Sequence, residues 1–298
     1  MMEDNVASIL EKLRNKAKKS NISYQQALQL FVQEEFLRKL SKSQYNNSLI
    51  LKGGLFVYIL TNFESRATID VDFLLCGYSN SIETIKKIVN NIIDVPTGND
   101  YIFMEANRFK EISPQRKYHG VSVQIIAKIK NIRIPFSVDI GIGDIIIPCS
   151  HEQKVNTQLP NFESPIIKTY SLESAIAEKF DAILQRFELT SRMKDFYDIF
   201  YISKKFCFDG VELKTAILKT LECRKTPYDK DSFKRLTLLA NNNDLRKRWT
   251  FFLEELNDKK IEFEIIIKNI QIFLEPVFNA IVNETDWKKH WNYSTKWI

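Results

Sequence analysis

The chain alternates between stretches in which apolar residues recur at helical spacing and stretches in which they recur at strand spacing. In the first half, helical spacing predicts helices over Val6–Lys19, Tyr24–Leu40, Leu55–Leu60 and Ser81–Asn91. Runs rich in β-branched and aromatic residues predict strands over Ser48–Leu51, Thr68–Leu75, Val121–Ile129, Ile132–Ile140 and Ile145–Ile147. The last three strands are separated only by short turns, so we expect them to pair as antiparallel neighbours.

The second half of the chain has helical spacing almost throughout. It predicts helices over Leu172–Phe187, Met193–Lys204, Val211–Leu221 and within Leu245–Val282. The whole pattern predicts an α+β protein, in which a mixed β-sheet flanked by helices is followed by a helical C-terminal domain. A proline-bearing segment with little strand character, Leu159 to Pro165, separates the two patterns. We therefore expect one domain over residues 1–165 and a second over 166–298.

The composition excludes several classes of protein. The 298 residues are 44% hydrophobic and 27% charged, with 8 Gly and 8 Pro, which argues against disorder and low complexity. The longest uninterrupted apolar runs, such as Ile145–Ile147 and Ile265–Ile267, are far shorter than the roughly 18 residues that span a bilayer. No N-terminal segment has the apolar middle of a signal peptide. We therefore expect a cytoplasmic protein without a membrane partner.

Cysteine, histidine and net charge narrow the chemistry further. The four cysteines show no Cys-x-x-Cys spacing, so they suggest neither a disulfide framework nor a zinc site, and we expect reduced, mostly buried thiols. The three histidines lie far apart and none neighbours a nucleophile, which argues against a hydrolase triad. The net charge of +6 tolerates a polyanionic partner but does not require one.

Asp70 and Asp72 are the first candidates for chemistry. They are separated by one residue in a predicted strand, and alternation along a strand places both carboxylates on one face. Paired carboxylates suit Mg²⁺, which prefers one or two of them together with phosphate oxygens and water. Taken alone, an Asp-x-Asp pair is also typical of a solvated strand face.

Asp139 lies in a second apolar strand, where a carboxylate costs several kcal/mol to bury without a partner. If this strand is adjacent to that of Asp70 and Asp72, three carboxylates converge, an arrangement that holds two metal ions for phosphoryl transfer. The alternative is that Asp139 caps the Gly141–Gly143 turn.

A glycine turn precedes the carboxylates. Lys52, Gly53 and Gly54 lie between a predicted strand and a predicted helix, where glycine lets the backbone approach phosphate oxygens. The segment is neither a Walker A loop nor a Rossmann fingerprint.

The helical half contains a second group of charged candidates. Lys179 lies at the edge of an apolar helix face, where a lysine either extends to solvent or points into a cleft. Downstream, Arg192, Lys194, Asp195 and Asp198 surround a predicted helix start. Ion pairing and charge complementarity at the helix terminus are the alternative explanation of this group.

Together these segments resemble the AbiEii/AbiGii toxin family of the DNA polymerase β-like nucleotidyltransferase superfamily. The resemblance covers roughly Tyr24 to Lys205. It rests on four blocks in order: Leu51–Gly54 and Arg66–Asp72; Tyr118–Val121 followed by Ile134–Asp144; and Ala177–Phe180 joined to Ser191–Asp198.

The resemblance implies a role for each candidate residue. It implies that Lys52, Gly53 and Gly54 contact the triphosphate, that Asp70 and Asp72 bind the catalytic metals, and that Asp139 is the third acidic residue. In the helical domain it implies that Lys179 contacts phosphate and that Asp195 or Asp198 is the late acidic residue. Arg66 and Lys194 are implied as further phosphate contacts. Many family members have serine where this chain has Gly54, so backbone donors replace a hydroxyl there.

The resemblance also implies a nucleotidyltransferase-like sheet, NTP as substrate and Mg²⁺, or Mn²⁺ in its place, as cofactor. The implied activity is transfer of a nucleoside monophosphate to an acceptor, tRNA or another RNA. The implied biological role is that of a toxin in a type IV toxin–antitoxin or phage abortive infection system, with a cognate antitoxin. Two alternatives stay open: an inactive RNA- or nucleotide-binding protein on the same scaffold, and a metal-dependent phosphohydrolase.

Overall fold

The computed structural model describes residues 2–112, 120–256, 261–293 and 296–298. The chain forms two compact units. The first comprises Met1–Gly143 and Ser150–Tyr170, and the second comprises Asp144–Cys149 and Ser171–Ile298. The segment Asp144–Cys149 thus belongs to the second unit, although it precedes Pro165 in the sequence. Tyr118 and His119, which contribute to the family resemblance, lie outside the described residues.

The first unit contains four described helices and one seven-stranded sheet. The helices are α1 (Met2–Lys19), α2 (Tyr24–Lys42), α3 (Gly53–Leu60) and α4 (Ile82–Ile93). The strands are β1 (Leu49–Lys52), β2 (Asp70–Leu75), β3 (Ile102–Ile112), β4 (Gly120–Ile129), β5 (Ile132–Gly141), β6 (His151–Lys154) and β7 (Ile166–Thr169). Their order in the sheet is β3-β4-β5-β2-β1-β7-β6.

The sheet is mixed, which confirms the predicted fold class. The β3/β4, β4/β5, β2/β1 and β7/β6 pairs are antiparallel, whereas β2/β5 and β1/β7 are parallel. On one face, Phe36 of α2 packs against Phe73 of β2 and Phe136 of β5, with ring centroids 6.1 and 6.0 Å apart. Side chains that alternate with Phe73 and Phe136 point to the other face.

The sequence prediction was wrong for Ile145–Ile147, which form no strand. The backbone of Ile147 instead pairs with the N-terminal serines of the first helix of the second unit. Its N–H donates to Ser174 Oγ at 2.8 Å, and its carbonyl accepts from Ser171 Oγ at 2.5 Å. The β-branched run therefore joins the second unit and not the sheet. The prediction also missed β3, β6 and β7.

The second unit is mainly helical, as predicted. Its helices are α5 (Leu172–Leu184), α6 (Met193–Lys205), α7 (Gly210–Arg224), α8 (Ser232–Leu238), α9 (Asn243–Leu256) and α10 (Phe263–Val282). A small sheet of β8 (Phe208–Asp209), β9 (His290–Asn292) and β10 (Lys296–Trp297) was not predicted. Trp291 Nε1 donates to Ser203 O and Trp297 Nε1 to Phe273 O, so these tail tryptophans pack against the unit.

By length and composition alone, one described helix, α10, is apolar enough to cross a membrane. Buried residues along it, among them Ile266, Ile270 and Phe273, place α10 in the core of the second unit, where it packs against α6, α7 and α8. A buried core helix passes the same test of length and composition.

The cysteines are free, but Cys76, Cys149 and Cys207 are exposed, so the prediction of mostly buried thiols was wrong.

Helix α2 buries an unusual set of charged side chains. Arg38 donates to the Glu35 carboxylate and, through Nε, to Glu163 O at 3.0 Å. Glu34 is 1% exposed and accepts from the backbone N–H of Gln158 at 3.0 Å. Burial raises the pKa of Glu34 from 4.5 to about 8, with Arg38 opposing the rise. The raised pKa favours the neutral carboxyl of Glu34 at neutral pH.

The raised pKa of Glu34 predicts a pH dependence of stability. The stabilising contribution of the neutral carboxyl is fully present below about pH 4.5 and is lost as the pH rises through about 8. Glu34→Gln keeps a neutral side chain at every pH, so its melting temperature should exceed that of the wild type increasingly from pH 6 to pH 9. The corresponding difference in the free energy of unfolding is expected to reach the order of a few kcal/mol.

Thermal melts of the full chain across this range test the expectation, with Glu11→Gln, an exposed carboxylate on α1, as the control. A difference in melting temperature between the wild type and Glu34→Gln that stays constant from pH 6 to pH 9 would contradict the expectation.

Candidate active site

The two aspartates of β2 share one face of the sheet. Along β2, Val71 and Phe73 are buried, whereas Asp70 and Asp72 are partly exposed. Because Phe73 contacts α2, the alternation places both carboxylates on the face opposite α2. The structure thus places Asp70 and Asp72 side by side along one strand.

Asp139 lies on the neighbouring strand. The parallel pairing of β2 and β5 sets Asp72 opposite Asp139 and Asp70 opposite Ser137. On β5, Val138 is buried and Asp139 is partly exposed, so Asp139 shares the face of the β2 aspartates. Three carboxylates are therefore brought to one face of two adjacent strands, and Asp139 lies within β5, not in the Gly141–Gly143 turn.

The glycine turn adjoins these carboxylates. Antiparallel pairing of β1 with β2 sets Lys52 opposite Asp72, and α3 begins at the next residue, Gly53. Gly53 has φ +68°, and a Cβ built on it would lie 2.1 Å from Asp72 Oδ2. The backbone and the carboxylate approach each other so closely that only glycine fits. The Nζ of Lys52 lies 5.3 Å from the ring centroid of Tyr170.

Arg66 and Thr68 border Gly54. A Cβ built on Gly54 would lie 3.1 Å from Thr68 Oγ1 and 3.3 Å from Arg66 Nη2. Arg66 was predicted from the sequence as a site residue, whereas Thr68 was not. No local pattern marks Thr68, because its position beside Gly54 arises from the pairing of β1 with β2.

A buried amide on α2 holds the backbone just before Asp70. Gln33 is fully buried, and its Nε2 donates to Ile69 O at 2.8 Å and to Thr68 O at 3.3 Å. One turn earlier, Gln29 Nε2 donates to Pro135 O of β5 at 3.2 Å. Helix α2 thus fixes both strands that carry the aspartates. Neither glutamine was predicted from the sequence, in which two glutamines four residues apart on a buried helix face were the available signal.

In the second unit, Lys179 lies in a buried ion-pair cluster. Lys179 is 8% exposed, and its Nζ lies 2.5 Å from Asp198 Oδ2 and 3.6 Å from Asp195 Oδ1. Asp195 also accepts from Arg192 Nε at 2.5 Å. Lys179 therefore does not extend to solvent. Lys194 is exposed and lies apart from the buried side of α6.

The donor set of the first unit fits a hard divalent cation. Asp70, Asp72 and Asp139 offer carboxylate oxygens on one face, the ligand type that Mg²⁺ and Mn²⁺ prefer. Among the described residues, no three His, Cys, Asp or Glu side chains lie close enough together to hold a metal ion by themselves. That is compatible with Mg²⁺, which usually takes one or two carboxylates and completes its shell with water and substrate phosphates.

A glycine turn at a helix N-terminus beside carboxylates on one face of a mixed sheet is the arrangement expected of a nucleotidyltransferase. The sequence profile of the family described as nucleotidyl transferase AbiEii toxin, type IV toxin–antitoxin system, matches residues 35–284. The chain belongs to this family. It is accordingly a nucleotidyltransferase toxin, and the family implies an NTP substrate, a divalent metal and an antitoxin partner.

One solved structure shows the same fold, that of MenT4. The nucleotidyltransferase toxin MenT4 of Mycobacterium tuberculosis superposes with a TM-score of 0.55 at 15% identity, over 92% of this chain and 99% of that one. JHP933 from Helicobacter pylori gives a TM-score of 0.47 at 14% identity, over 88% of this chain and 95% of that one. No curated protein sequence matches the chain significantly.

The contact between Gly53 and Asp72 predicts a specific effect of substitution. Gly53→Ala should lower the free energy of unfolding by about 1–2 kcal/mol because of the positive φ, and should also displace the Asp72 carboxylate. A displaced catalytic group costs up to roughly 10²-fold in rate. We expect nucleotidyl transfer to fall by about that factor.

Gly77→Ala is the matched control, since Gly77 has φ +78° and no described atom within 4 Å of a built Cβ. It should cost similar stability and leave transfer intact. Equal transfer rates in the two variants would contradict the assignment of the Gly53 turn to the site.

Proposed function

We propose that the protein transfers a nucleoside monophosphate from an NTP to an RNA acceptor, tRNA or another RNA, in a reaction that depends on Mg²⁺ or Mn²⁺. The observation that carries the proposal is the transverse row formed by Lys52, Asp72 and Asp139, which places a cation and two carboxylates beside the Gly53 turn.

Each residue of the first unit has a proposed role. Asp70, Asp72 and Asp139 would hold the divalent ions, which when bound activate the acceptor hydroxyl and neutralise triphosphate charge. Gly53 and Gly54 would present backbone N–H groups of the α3 N-terminus to phosphate oxygens. Lys52 and Arg66 would add positive charge beside the triphosphate. Thr68 would supply a hydroxyl next to Gly54, which itself has no side chain.

We propose separate roles for the second unit. Lys179 would contact phosphate oxygens, with Asp195 and Asp198 holding its ammonium group in a fixed orientation. Lys194, which is exposed on α6, would be a further phosphate contact. The reaction would take place in the cytoplasm, where NTP and RNA are available, and the cognate antitoxin would oppose its effect.

The test is incubation of the full chain with each of the four α-labelled NTPs, Mg²⁺ and total tRNA, beside the Asp70→Asn/Asp72→Asn double variant. We expect label in RNA with the wild type only, for one NTP or a subset of them. Removal of the metal with EDTA should stop the transfer, and added Mn²⁺ should restore it.

Label in RNA that is equal for the wild type and the double variant would contradict the assignment of the site. Label on protein or a small molecule, and not on RNA, would keep the enzyme class and overturn the RNA acceptor.

A further inference from the structure

The face of the sheet that carries the aspartates continues across three more strands as a polar surface. The register of β5, β4 and β3 extends the row of Asp72 and Asp139 to Ser122 and Lys110. The adjacent row runs from Asp70 through Ser137 and Gln124 to Arg108. At the far end, a third row contains Arg133, Lys128 and Phe103. Residues in register point to the same side, so these rows form one continuous face.

Four cationic side chains lie on this surface, and three of them are exposed. Arg108, Lys110 and Arg133 are exposed, and within the described ranges none of the three forms an ion pair. Lys128 is 39% exposed and lies 3.3 Å from Glu105, the one carboxylate on the β3 part of the face. The face therefore carries a net positive charge beside the negative charge of the aspartates, which attracts a polyanion toward the carboxylates.

Phe103 adds an exposed aromatic ring to the same surface. Its side chain is 59% exposed, and the Nζ of Lys128 lies 5.6 Å from the ring centroid. A ring left open on a sheet face next to cations is the arrangement on which unpaired bases stack while the backbone is bound electrostatically. The β3 side chains that alternate with Phe103, such as Ile102 and Met104, are buried, so the exposure of Phe103 is a property of this face.

We propose that this surface, the β3–β5 face, binds the RNA acceptor. The β3–β5 face is formed by Phe103, Arg108, Lys110, Gln124, Lys128 and Arg133. The phosphates lie on Arg108, Lys110 and Arg133, and an unpaired base stacks on Phe103. Asp139 and Arg133 are six residues apart on β5, so the face extends about 20 Å from the aspartates. RNA bound along it presents a hydroxyl to the carboxylates. The inference deepens, and rests on, the proposed transfer to RNA.

The test measures Kd for fluorescent tRNA by anisotropy over a range of salt concentrations. The variant Arg108→Gln/Arg133→Gln removes two phosphate contacts, so its Kd should rise about tenfold and its log–log salt slope should fall by roughly 1.4. The matched control is Lys86→Gln/Lys87→Gln, two exposed lysines of α4, which packs against β3. The control should change Kd less than about twofold, because these two lysines lie outside the β3–β5 face and would make no phosphate contact. Phe103→Leu should weaken binding of a single-stranded oligonucleotide and leave the salt slope unchanged.

Equal weakening by the two double variants would overturn the proposal, because it would show that net charge and not this face governs binding. Competition by polyglutamate as effective as that by RNA would also overturn it, in favour of a general anion surface. NTP binding should be the same in the wild type and in Arg108→Gln/Arg133→Gln, which shows that the aspartate site is intact.

The surface and the reaction can fail separately. Label transfer to RNA that continues at the wild-type rate in Arg108→Gln/Arg133→Gln at sub-saturating RNA would overturn the β3–β5 face and leave the proposed function in place. RNA binding that depends on the face, without any transfer of label, would support the face and remove the proposed reaction.

Discussion

Asp72→Asn is expected to reduce nucleotidyl transfer at least about 10³-fold, because several kcal/mol of transition-state stabilisation depend on the metal that Asp72 would hold. Asp72 is central to the site: it faces Lys52 on one side and Asp139 on the other, and it lies against the Gly53 backbone. Asparagine has nearly the same shape, so the packing at Gly53 is retained. The measurement is the initial rate of label transfer at saturating NTP.

The same substitution should leave folding intact. Replacing one of two carboxylates that face each other across β2 and β5 removes a repulsion between like charges, so the melting temperature without metal should be equal or slightly higher. Added Mn²⁺ should stabilise the wild type and not the variant. Asp100→Asn, an exposed aspartate before β3, is the control and should behave as the wild type. Full activity of Asp72→Asn would contradict its assigned role.

The second large effect concerns stability. Arg224→Met is expected to lower the free energy of unfolding of the second unit by about 3–5 kcal/mol, because it leaves one buried and two partly buried carboxylates without their cation. Arg224 lies 2.8 Å from Asp144 Oδ1, 3.2 Å from Glu178 Oε1 and 3.0 Å from Asp181 Oδ2. Asp181 is fully buried. Burial opposes the charge of Arg224, but Glu178, Asp144 and Asp181 raise its pKa above the ordinary value.

Lys219→Met supplies the control on the same helix. Lys219 pairs with Glu222 at 2.8 Å, but it is 47% exposed, and such a pair contributes about 0–1 kcal/mol. All 4 tryptophans lie in the second unit, from Trp249 to Trp297, so tryptophan fluorescence during urea denaturation reports on this unit alone. A loss below about 1 kcal/mol in Arg224→Met would contradict the account, since a buried pair should cost several times more.

Local patterns were sufficient to predict much of the fold. The β-branched and aromatic residues of Thr68–Leu75 and Ile132–Ile140 identified β2 and β5, and the glycines after Leu51 marked the start of α3. β3 was missed because its alternation is interrupted: a register shift between Ala106 and Arg108 moves the apolar positions from even to odd residues. Ile145–Ile147 were predicted wrongly because a short β-branched run does not reveal which partner satisfies its backbone.

The candidate site was predictable as a list of residues but not as an arrangement. Asp70 and Asp72 share a face by strand alternation alone. Their proximity to Asp139 depends on β2 pairing with β5, which is distant in sequence, and no local pattern predicts that pairing. The same holds for Thr68 beside Gly54 and for Gln33 at the start of β2, since both contacts are made by tertiary packing.

Nucleotidyl transfer to RNA at the carboxylate face is tested by following both ends of the NTP. In parallel reactions with α- and γ-labelled NTP, we expect the α-label to enter RNA while the γ-label leaves as pyrophosphate in equal amount, and we expect neither product with Asp72→Asn. Release of γ-label as free phosphate without labelled RNA would indicate a phosphohydrolase and contradict the account.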